Sequence, residues 1–420
     1  MSILSARQLD RVRSSALPPA VVIGADITGL TEARALRDHG VPVFAIDSVR
    51  RRFTGYSDAF DLLVFKEFWG PPLIPFLEQL AAELPQKAAL FISMDEPVKV
   101  VGSLGQHLRE LYHFEFPDAG DVTTLMNKGA FTELALQRGW PVPRTRDCRS
   151  REEVEAAART LTFPVIVKPR VKNVEFRKSG NRKASRCDTV GELMSEYQKM
   201  AQWEAEAVVQ EFVPGGDDEI YFSFHYLDAS LQEVCSFEGR KLRQWVPECG
   251  NTAMAIGVER PRVHALTREI LTSTRCVGFG AVEYKRDPRT DSFVIMEPTV
   301  GRVNLQVGTA IANNVDIVSR AYFHLVGRPY PGGGPVTHDR KWLIARSDYR
   351  SARYWMRKGE LTWGGYLRSL RGPKRFAVWR LSDRGMMAGA LAFSATMPLR
   401  LLRRVARRLV RGSAAPRTTP

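Results

Sequence analysis

Lys128, Lys168, Glu283 and Glu297 are the side chains from which chemistry can be argued first. Lys128 stands in a helical pattern with Phe131, Leu134 and Ala135, and Lys168 ends the apolar run Val165-Ile166-Val167. Glu283 and Glu297 sit in two Val- and Phe-rich runs, around 281–284 and 293–297, which read as neighbouring strands. Two carboxylates on adjacent strands repel each other unless a cation lies between them. Lysines, paired acids and a route to exclude water are what γ-phosphoryl transfer requires, because Mg²⁺ and ammonium groups must surround the phosphates. The chain offers this set without a GxxxxGK[ST] loop, and it has no HExxH and no GxSxG, so three common enzyme classes are removed.

These residues belong to an ordered series of motifs. After Lys128 and the Val-Ile-Val-Lys-Pro segment at Lys168 comes Gln210-Glu211-Phe212-Val213-Pro214-Gly215-Gly216-Asp217-Asp218-Glu219, then Glu283, then Glu297 with Gly301-Arg302 behind it. This order resembles the ATP-grasp superfamily, in particular its carboxylate-amine ligase branch, over roughly Ala20 to Arg328. The resemblance implies that Lys128 and Lys168 contact the α- and β-phosphates from the edge of a small lid lobe. It implies a hinge at Glu211, Phe212 and Val213 that binds the adenine edge, with Glu211 on the amino group, and a ribose contact from Glu219. Glu283 and Glu297 take the place of the Mg²⁺ ligands, where Mn²⁺ would also serve. Arg302 faces the transferring phosphoryl group or the substrate carboxylate, and Lys241 faces the triphosphate, with Arg243 as a second basic residue and, for Arg240, a basic solvated turn as the alternative. Three positions depart from the pattern. Thr299 stands where asparagine is common, leaving Asn304 as the nearest amide for a metal, the loop between Lys168 and Cys187 has Gly180 as its one glycine, and Asn127 replaces an acid before Lys128.

The expected activity is that of an ATP- and Mg²⁺-dependent ligase. A carboxylate is a poor acyl donor, phosphorylation gives it a leaving group, and an amine then attacks the mixed anhydride. The resemblance points to small-molecule carboxylate and amine substrates, the amine belonging to an amino acid, a peptide or a sugar-linked acceptor. A competing reading is a nucleotide-binding ATP-grasp-like protein without ligase activity that acts as a peripheral membrane or scaffolding module. Dinucleotide binding at Gly24-Ala25-Asp26-Ile27-Thr28-Gly29 is the weaker alternative, since the spacing is not GxGxxG.

These residues need elements to hold them. Ala20–Ile23, a helix over Leu30–His39 and Val41–Asp47 read as a βαβ unit, and Ala88–Ser93 as a later strand of the same parallel sheet. A helix over Glu152–Leu161 precedes the strand of Lys168, and alternation from Glu219 to Tyr226 reads as a strand. The predicted class is α/β, with α+β character in the lid. A tail (1–17) precedes a Rossmann-like lobe (18–121), then come a two-lobed ATP-grasp domain (122–330, lid about 141–209) and an extension (331–420) set off by the glycine-rich linker Pro329–Pro335.

Composition is that of a folded globular protein, 44% hydrophobic and 25% charged, with a net charge of +15. Cys148, Cys187, Cys235, Cys249 and Cys276 are scattered without a CxxC pair, which predicts inert thiols in a reducing cytoplasm. Arginines at 400, 403, 404, 407, 408 and 411 fall on one helical face opposite Leu401, Leu402, Val405, Leu409 and Val410, behind the apolar stretch Met386–Leu399. This basic amphipathic tail predicts contact with an anionic membrane surface on the inner face, or a helix packed on the protein itself. Basic charge also suits nucleic acid, but no helix-turn-helix, zinc finger or RNP-like motif is present. Oligomeric state leaves no trace in the sequence.

Overall fold

A computed structural model of the chain describes residues 2–50, 54–170, 184–203, 206–248 and 250–389. Most of the glycine-poor loop after Lys168, Cys249, the apolar stretch beyond 389 and the arginine-rich segment 400–411 lie outside the described residues.

Strands β1 (Ala20–Ile23), β2 (Val43–Asp47), β3 (Asp61–Val64) and β4 (Ala89–Ile92) form a parallel sheet in the order β3-β2-β1-β4. β1, β2 and β4 are continuous apolar runs because both sheet faces are covered. The helix Ile27–Asp38 links β1 to β2, capped by the Asp26 carboxylate, which accepts from the Thr28 and Gly29 amides. A Cβ at Gly29 would lie 1.9 Å from the Gly24 carbonyl oxygen, so that glycine serves close helix-to-turn packing. Asp47 is buried and accepts from the Ala25 N–H at 3.0 Å. Its carboxylate thereby closes the turn at the place where a dinucleotide fold would offer it to a ribose. The strand order reverses between β1 and β4, which makes a switch point at the ends of those strands. Ahead of this sheet, residues 2–17 are more than a tail. Ala6–Arg13 is a helix with a Ser5/Gln8 capping box, and Leu4 and Val12 are buried.

A second sheet contains β5 (Thr145–Cys148), β6 (Val165–Pro169), β7 (Ser185–Cys187) and β8 (Ala207–Glu211), antiparallel in the order β5-β8-β6-β7. The helices Arg151–Thr160 and Val190–Ala201 cover one face, burying Val154 and Leu193 against Val165 and Val209. The helix Lys128–Arg138 leads into this sheet, begun by an Asn127 cap and stopped by Gly139 in the left-handed conformation.

The largest sheet holds β9 (Ile220–Leu227), β10 (Glu233–Trp245), β11 (Asn251–Gly257), β12 (Gly278–Asp287), β13 (Ser292–Val300), β14 (Lys341–Leu343) and β15 (Lys374–Phe376), in the order β13-β12-β9-β10-β11-β14-β15. Phe222, Phe224 and Tyr226 of β9 face the core shared with the helices Ile27–Asp38 and Ile317–Leu325. Tyr221 and Leu227 face the opposite way, towards the helix Pro261–Ser273.

Beyond Pro329–Pro335 the chain does not separate from the body as the glycine-rich linker suggested. β14 and β15 extend the large sheet, and the helix Ala345–Arg357 brings Asp348 2.7 Å from the Arg243 Nε. Asp383 then docks on the first sheet's layer, 2.7 Å from Arg34, with both side chains buried. A short strand such as Lys341–Leu343 has too few residues to show a period of its own, and its partner β11 supplies the reason it forms. Among the described residues no helix is long and apolar enough to cross a membrane, and Cys148, Cys187, Cys235 and Cys276 are free and buried.

Candidate active site

A cleft of about 450 Å³ lies between the small sheet and β13, lined by Lys128, Thr145, Lys168, Gln210, Met296 and Glu297 among others. Each polar lining residue arrives by a simple device. Lys128 is the first residue of its helix, Lys168 lies near the end of β6, and Gln210 projects from β8 on the face opposite the buried Ala207 and Val209.

The carboxylates are matched across strands. Glu283 of β12 stands directly opposite Glu297 of β13, so both project from the same sheet face. Each has an ammonium partner. Lys241 Nζ lies 2.8 Å from Glu283 Oε2 and 2.9 Å from Oε1, and Lys128 Nζ lies 3.4 Å from Glu297 Oε1. Lys241 is 3% exposed and also donates to Gln244 Oε1 at 3.3 Å. Gln306 Nε2 donates to Glu283 Oε2 at 3.3 Å, while Gln306 Oε1 is buried without a partner. Lys168 donates to Gln210 Oε1 at 3.1 Å, and Gln210 in turn to Thr145 Oγ1 at 2.9 Å. Paired carboxylates beside lysines at the rim of a concave cleft fit a divalent cation bridging a polyphosphate, with hard oxygen donors on one side and phosphate-neutralising cations on the other.

Several residues singled out from the sequence are placed elsewhere than the cleft lining. The Glu211 carboxylate accepts from Arg144 at 3.1 Å and from the Thr162 amide at 2.9 Å, which turns it away from the cleft. Strand alternation is the reason, and Gln210 takes the inward position one residue earlier. Phe212 lies under two cations, with Lys285 Nζ 4.2 Å and the Arg186 guanidinium carbon 4.6 Å from its ring centroid, and its N–H donates to the Pro164 carbonyl. Val213 follows, at the margin of the core. Glu219 binds Arg286 through both oxygens, at 2.7 and 2.9 Å, so a ribose contact has only its remaining lone pairs to use. Arg302 reaches into the first layer, where its Nε donates to Asp95 at 2.6 Å, and the neighbouring Val303 N–H donates to the Ile92 carbonyl. Arg243, the second basic residue of its strand, faces Asp348 and Ser369 instead of the acids. Asn304 Nδ2 lies 3.4 Å from Thr299 Oγ1, which brings an amide to the position next to Glu297 on that face of β13.

Asp95 and Glu32 are absent from the sequence reading. Glu32, on the helix Ile27–Asp38, is fully buried with neither oxygen hydrogen-bonded. Burial lifts its carboxyl to about 8, against the pull of the Ser93 hydroxyl. A glutamate inside an otherwise ordinary helix gives no sequence signal of this kind.

No family model matches the chain. A D-aspartate ligase of Enterococcus faecium (strain Aus0004) is 23% identical over 303 residues, covering 69% of this chain and 71% of the relative. A Campylobacter jejuni biotin carboxylase in complex with an ATP analogue superposes with a TM-score of 0.59 at 14% identity, covering 77% of this chain and 74% of that one. The N5-carboxyaminoimidazole ribonucleotide synthetase of Thermus thermophilus gives 0.57 at 15% identity, over 76% and 81%. By these likenesses the chain shares the fold of the biotin carboxylase and of the synthetase, and it is similar in sequence to the D-aspartate ligase.

Proposed function

We propose that the protein activates a small-molecule carboxylate as an acyl phosphate with Mg-ATP and couples it to an amine carried by an amino acid, a peptide or a sugar-linked acceptor. The observation that carries this reading is the apposition of Glu283 and Glu297, each already matched to a lysine, at the rim of a cleft that also contains Lys168.

Glu283 and Glu297, with the Asn304 amide as a further oxygen donor, would hold Mg²⁺, or Mn²⁺ in its place, which would supply Lewis-acid neutralisation of the phosphate oxygens. Lys128 and Lys168 would bind the phosphates, Lys128 giving up its 3.4 Å contact with Glu297 to do so. Lys241, held by Glu283 and Gln244, positions that glutamate and adds positive field at the site of transfer. Phe131, Val142, Val208 and Ile295 of the cleft lining would receive the adenine, with Gln210 and Thr145 as its polar neighbours and the backbone of Glu211, Phe212 and Val213 as the hinge. Glu219 serves the ribose through the oxygen lone pairs left by Arg286. Arg302, bound to Asp95 at the start of the helix that follows β4, would orient the carboxylate substrate. Catalysis on this scheme is positioning and electrostatics, with no protein nucleophile.

Residues 18–121, 122–330 and 331–420 are proposed as preATP-grasp lobe, ATP-grasp domain and extension, with the described part of the extension, 331–389, packed against the other two. Membrane contact by 400–411 rests on its amphipathic sequence alone. Flotation with anionic vesicles of the full chain against one ending at Gly389 tests it, and equal recovery refutes it.

The functional test is thermal unfolding of wild type, Glu297→Ala and Lys168→Ala with Mg-ATP, ATP plus chelator, and NAD. At about a hundred times its dissociation constant a ligand stabilises the folded state by roughly 2.7 kcal/mol. The reading requires stabilisation of wild type by Mg-ATP, reduced by chelation and by either substitution, followed by ADP release that depends on an added amine. A response to NAD alone, or none to either nucleotide, would overturn it.

A further inference from the structure

The face of the large sheet turned away from Glu283 and Glu297 carries a second cluster of ligating groups. Glu283 is paired with Phe222, so residues one step along β9 and β10 point the other way, and Ser223, His225, Glu233 and Glu238 all do so. His264, on the helix Pro261–Ser273 that covers this face, completes the group. The ligand atoms of His225, Glu238 and His264 lie within 4.8 Å of one another, and the two imidazole rings are 4.8 Å apart centre to centre.

Glu233 stands behind both imidazoles. Its Oε2 lies 2.9 Å from His225 Nδ1, which therefore carries the proton, and 3.5 Å from His264 Nε2. His225 Nε2 is left with its lone pair and faces the same corner as His264 Nδ1, and a metal ion on His264 Nδ1 would place that ring's proton on Nε2, beside Glu233. His264 Nδ1 is 3.0 Å from Glu238 Oε1, and Ser223 Oγ is 2.8 Å from His225 Nε2 and 3.2 Å from Glu238 Oε1. The hydroxyl has one proton for two acceptors, which leaves one of them unmatched. The ion pairs of Glu233 and Glu238 among the described residues are all with these two histidines, so two carboxylates meet here without a lysine or arginine. Burial favours the neutral form of His225, which does nothing to relieve that charge. A carboxylate behind a histidine is the arrangement that orients an imidazole towards a metal ion.

We propose that His225 Nε2, His264 Nδ1 and Glu238 bind a divalent transition-metal ion of the Zn²⁺ type, with Glu233 as the shared carboxylate behind both imidazoles. Mixed nitrogen and oxygen donors suit Zn²⁺ better than Mg²⁺. Tetrahedral ligation at about 2.1 Å puts donor atoms about 3.4 Å apart, so closure asks for movement mainly of His264, the most exposed member. The fourth position falls to the Ser223 hydroxyl or water. Such an ion ties the β9–β10 hairpin to the helix above it, and it is separate from the nucleotide cleft on the sheet's other face. The proposal stands or falls apart from the ligase reading.

The test is a Zn²⁺ titration of the chelator-stripped full chain against a chromophoric chelator, with Mg²⁺ in excess to occupy Glu283 and Glu297. A parallel titration with Co²⁺ follows its visible absorption. His264→Ala and Glu238→Gln alter part-exposed positions, and their unfolding curves without metal check that they fold. The expected result is one equivalent bound by wild type and by Glu297→Ala, with a raised unfolding midpoint. Affinity should fall at least tenfold in His264→Ala and Glu238→Gln, with the midpoint shift gone. No stoichiometric binding by wild type, wild-type binding by both variants, or loss of binding in Glu297→Ala would each overturn it.

Discussion

Glu283 and Glu297 face each other directly across the β12–β13 ladder, and each is met by a lysine from a different part of the chain, Lys241 from β10 and Lys128 from the helix that leads into the small sheet. The two pairs differ in kind. Lys241 is buried, whereas the Glu297 side chain is 58% exposed. The first pair belongs to the fold as well as the site, and the second can open for a ligand.

Glu297→Ala should therefore leave the ligand-free protein within about 0.5 kcal/mol of wild type, as expected of an exposed side chain. It should remove the Mg-ATP-induced stabilisation and lower kcat/KM for amine-dependent ADP release at least about a hundredfold, the usual cost of losing an electrostatic partner of the transition state. Denaturant melts with and without nucleotide, together with steady-state assays, check both parts. A variant that melts early without nucleotide would assign Glu297 to the fold.

Lys241→Ala should behave differently. It leaves Glu283 without its cation, and breaking a buried pair costs about 3 kcal/mol, less here in so far as the Glu283 side chain is 26% exposed. In a double-mutant cycle with Glu283→Ala the coupling should reach about 1–3 kcal/mol, because the second substitution removes the uncompensated charge left by the first. Additive effects would show that Gln244 and Gln306 satisfy the two groups separately.

Gln210 lines the cleft where the sequence suggests Glu211. Gln210→Ala should weaken ATP binding several-fold, since its amide links Lys168 to Thr145 along the cleft wall. Glu211→Ala should leave ATP affinity near wild type and lower stability by about 1 kcal/mol, from lost hydrogen bonds to Arg144 and Thr162. Nucleotide titrations on the two variants decide it, and a larger affinity loss at Glu211 would return the adenine contact to that residue.

That shift by one residue shows what was legible in the sequence. The run Ala207-Val208-Val209 is apolar on both faces, so its parity is hidden, and only the packing of Ala207 and Val209 under two helices reveals which side Gln210 takes. The lysines and the two glutamate-bearing strands as neighbours were readable because each lies in or beside a run with a clear pattern. Arg302 was legible as a residue type but not as a bridge to Asp95, a contact that depends on how two layers meet. The His225 cluster was hidden for the same reason, its members coming from two strands and a helix that only the tertiary fold superposes. The Ser5/Gln8 capping box was present in the sequence, yet an eight-residue helix with Leu9 and Val12 as its large apolar residues is short for a period to announce it.

Glu32 gives the pH prediction. Its carboxyl is raised by burial from about 4.5 to about 8 in the folded protein. Below the unfolded value both states hold the proton and the residue has no effect on stability. Between about 4.5 and 8 the unfolded chain releases the proton while the folded one keeps it, so stability falls with rising pH by up to ~1.4 kcal/mol per unit from this group. Above 8 the effect levels off, because both states are ionised. Glu32→Gln removes the titration, and the variant should match wild type near pH 5 and exceed it near pH 8 by a margin that grows across that window. Urea melts of both proteins from pH 5 to 9 measure the difference directly. Parallel curves would mean that a donor reaches Glu32 in solution and holds it ionised, and Ser93 and Arg302 would be the groups to test next.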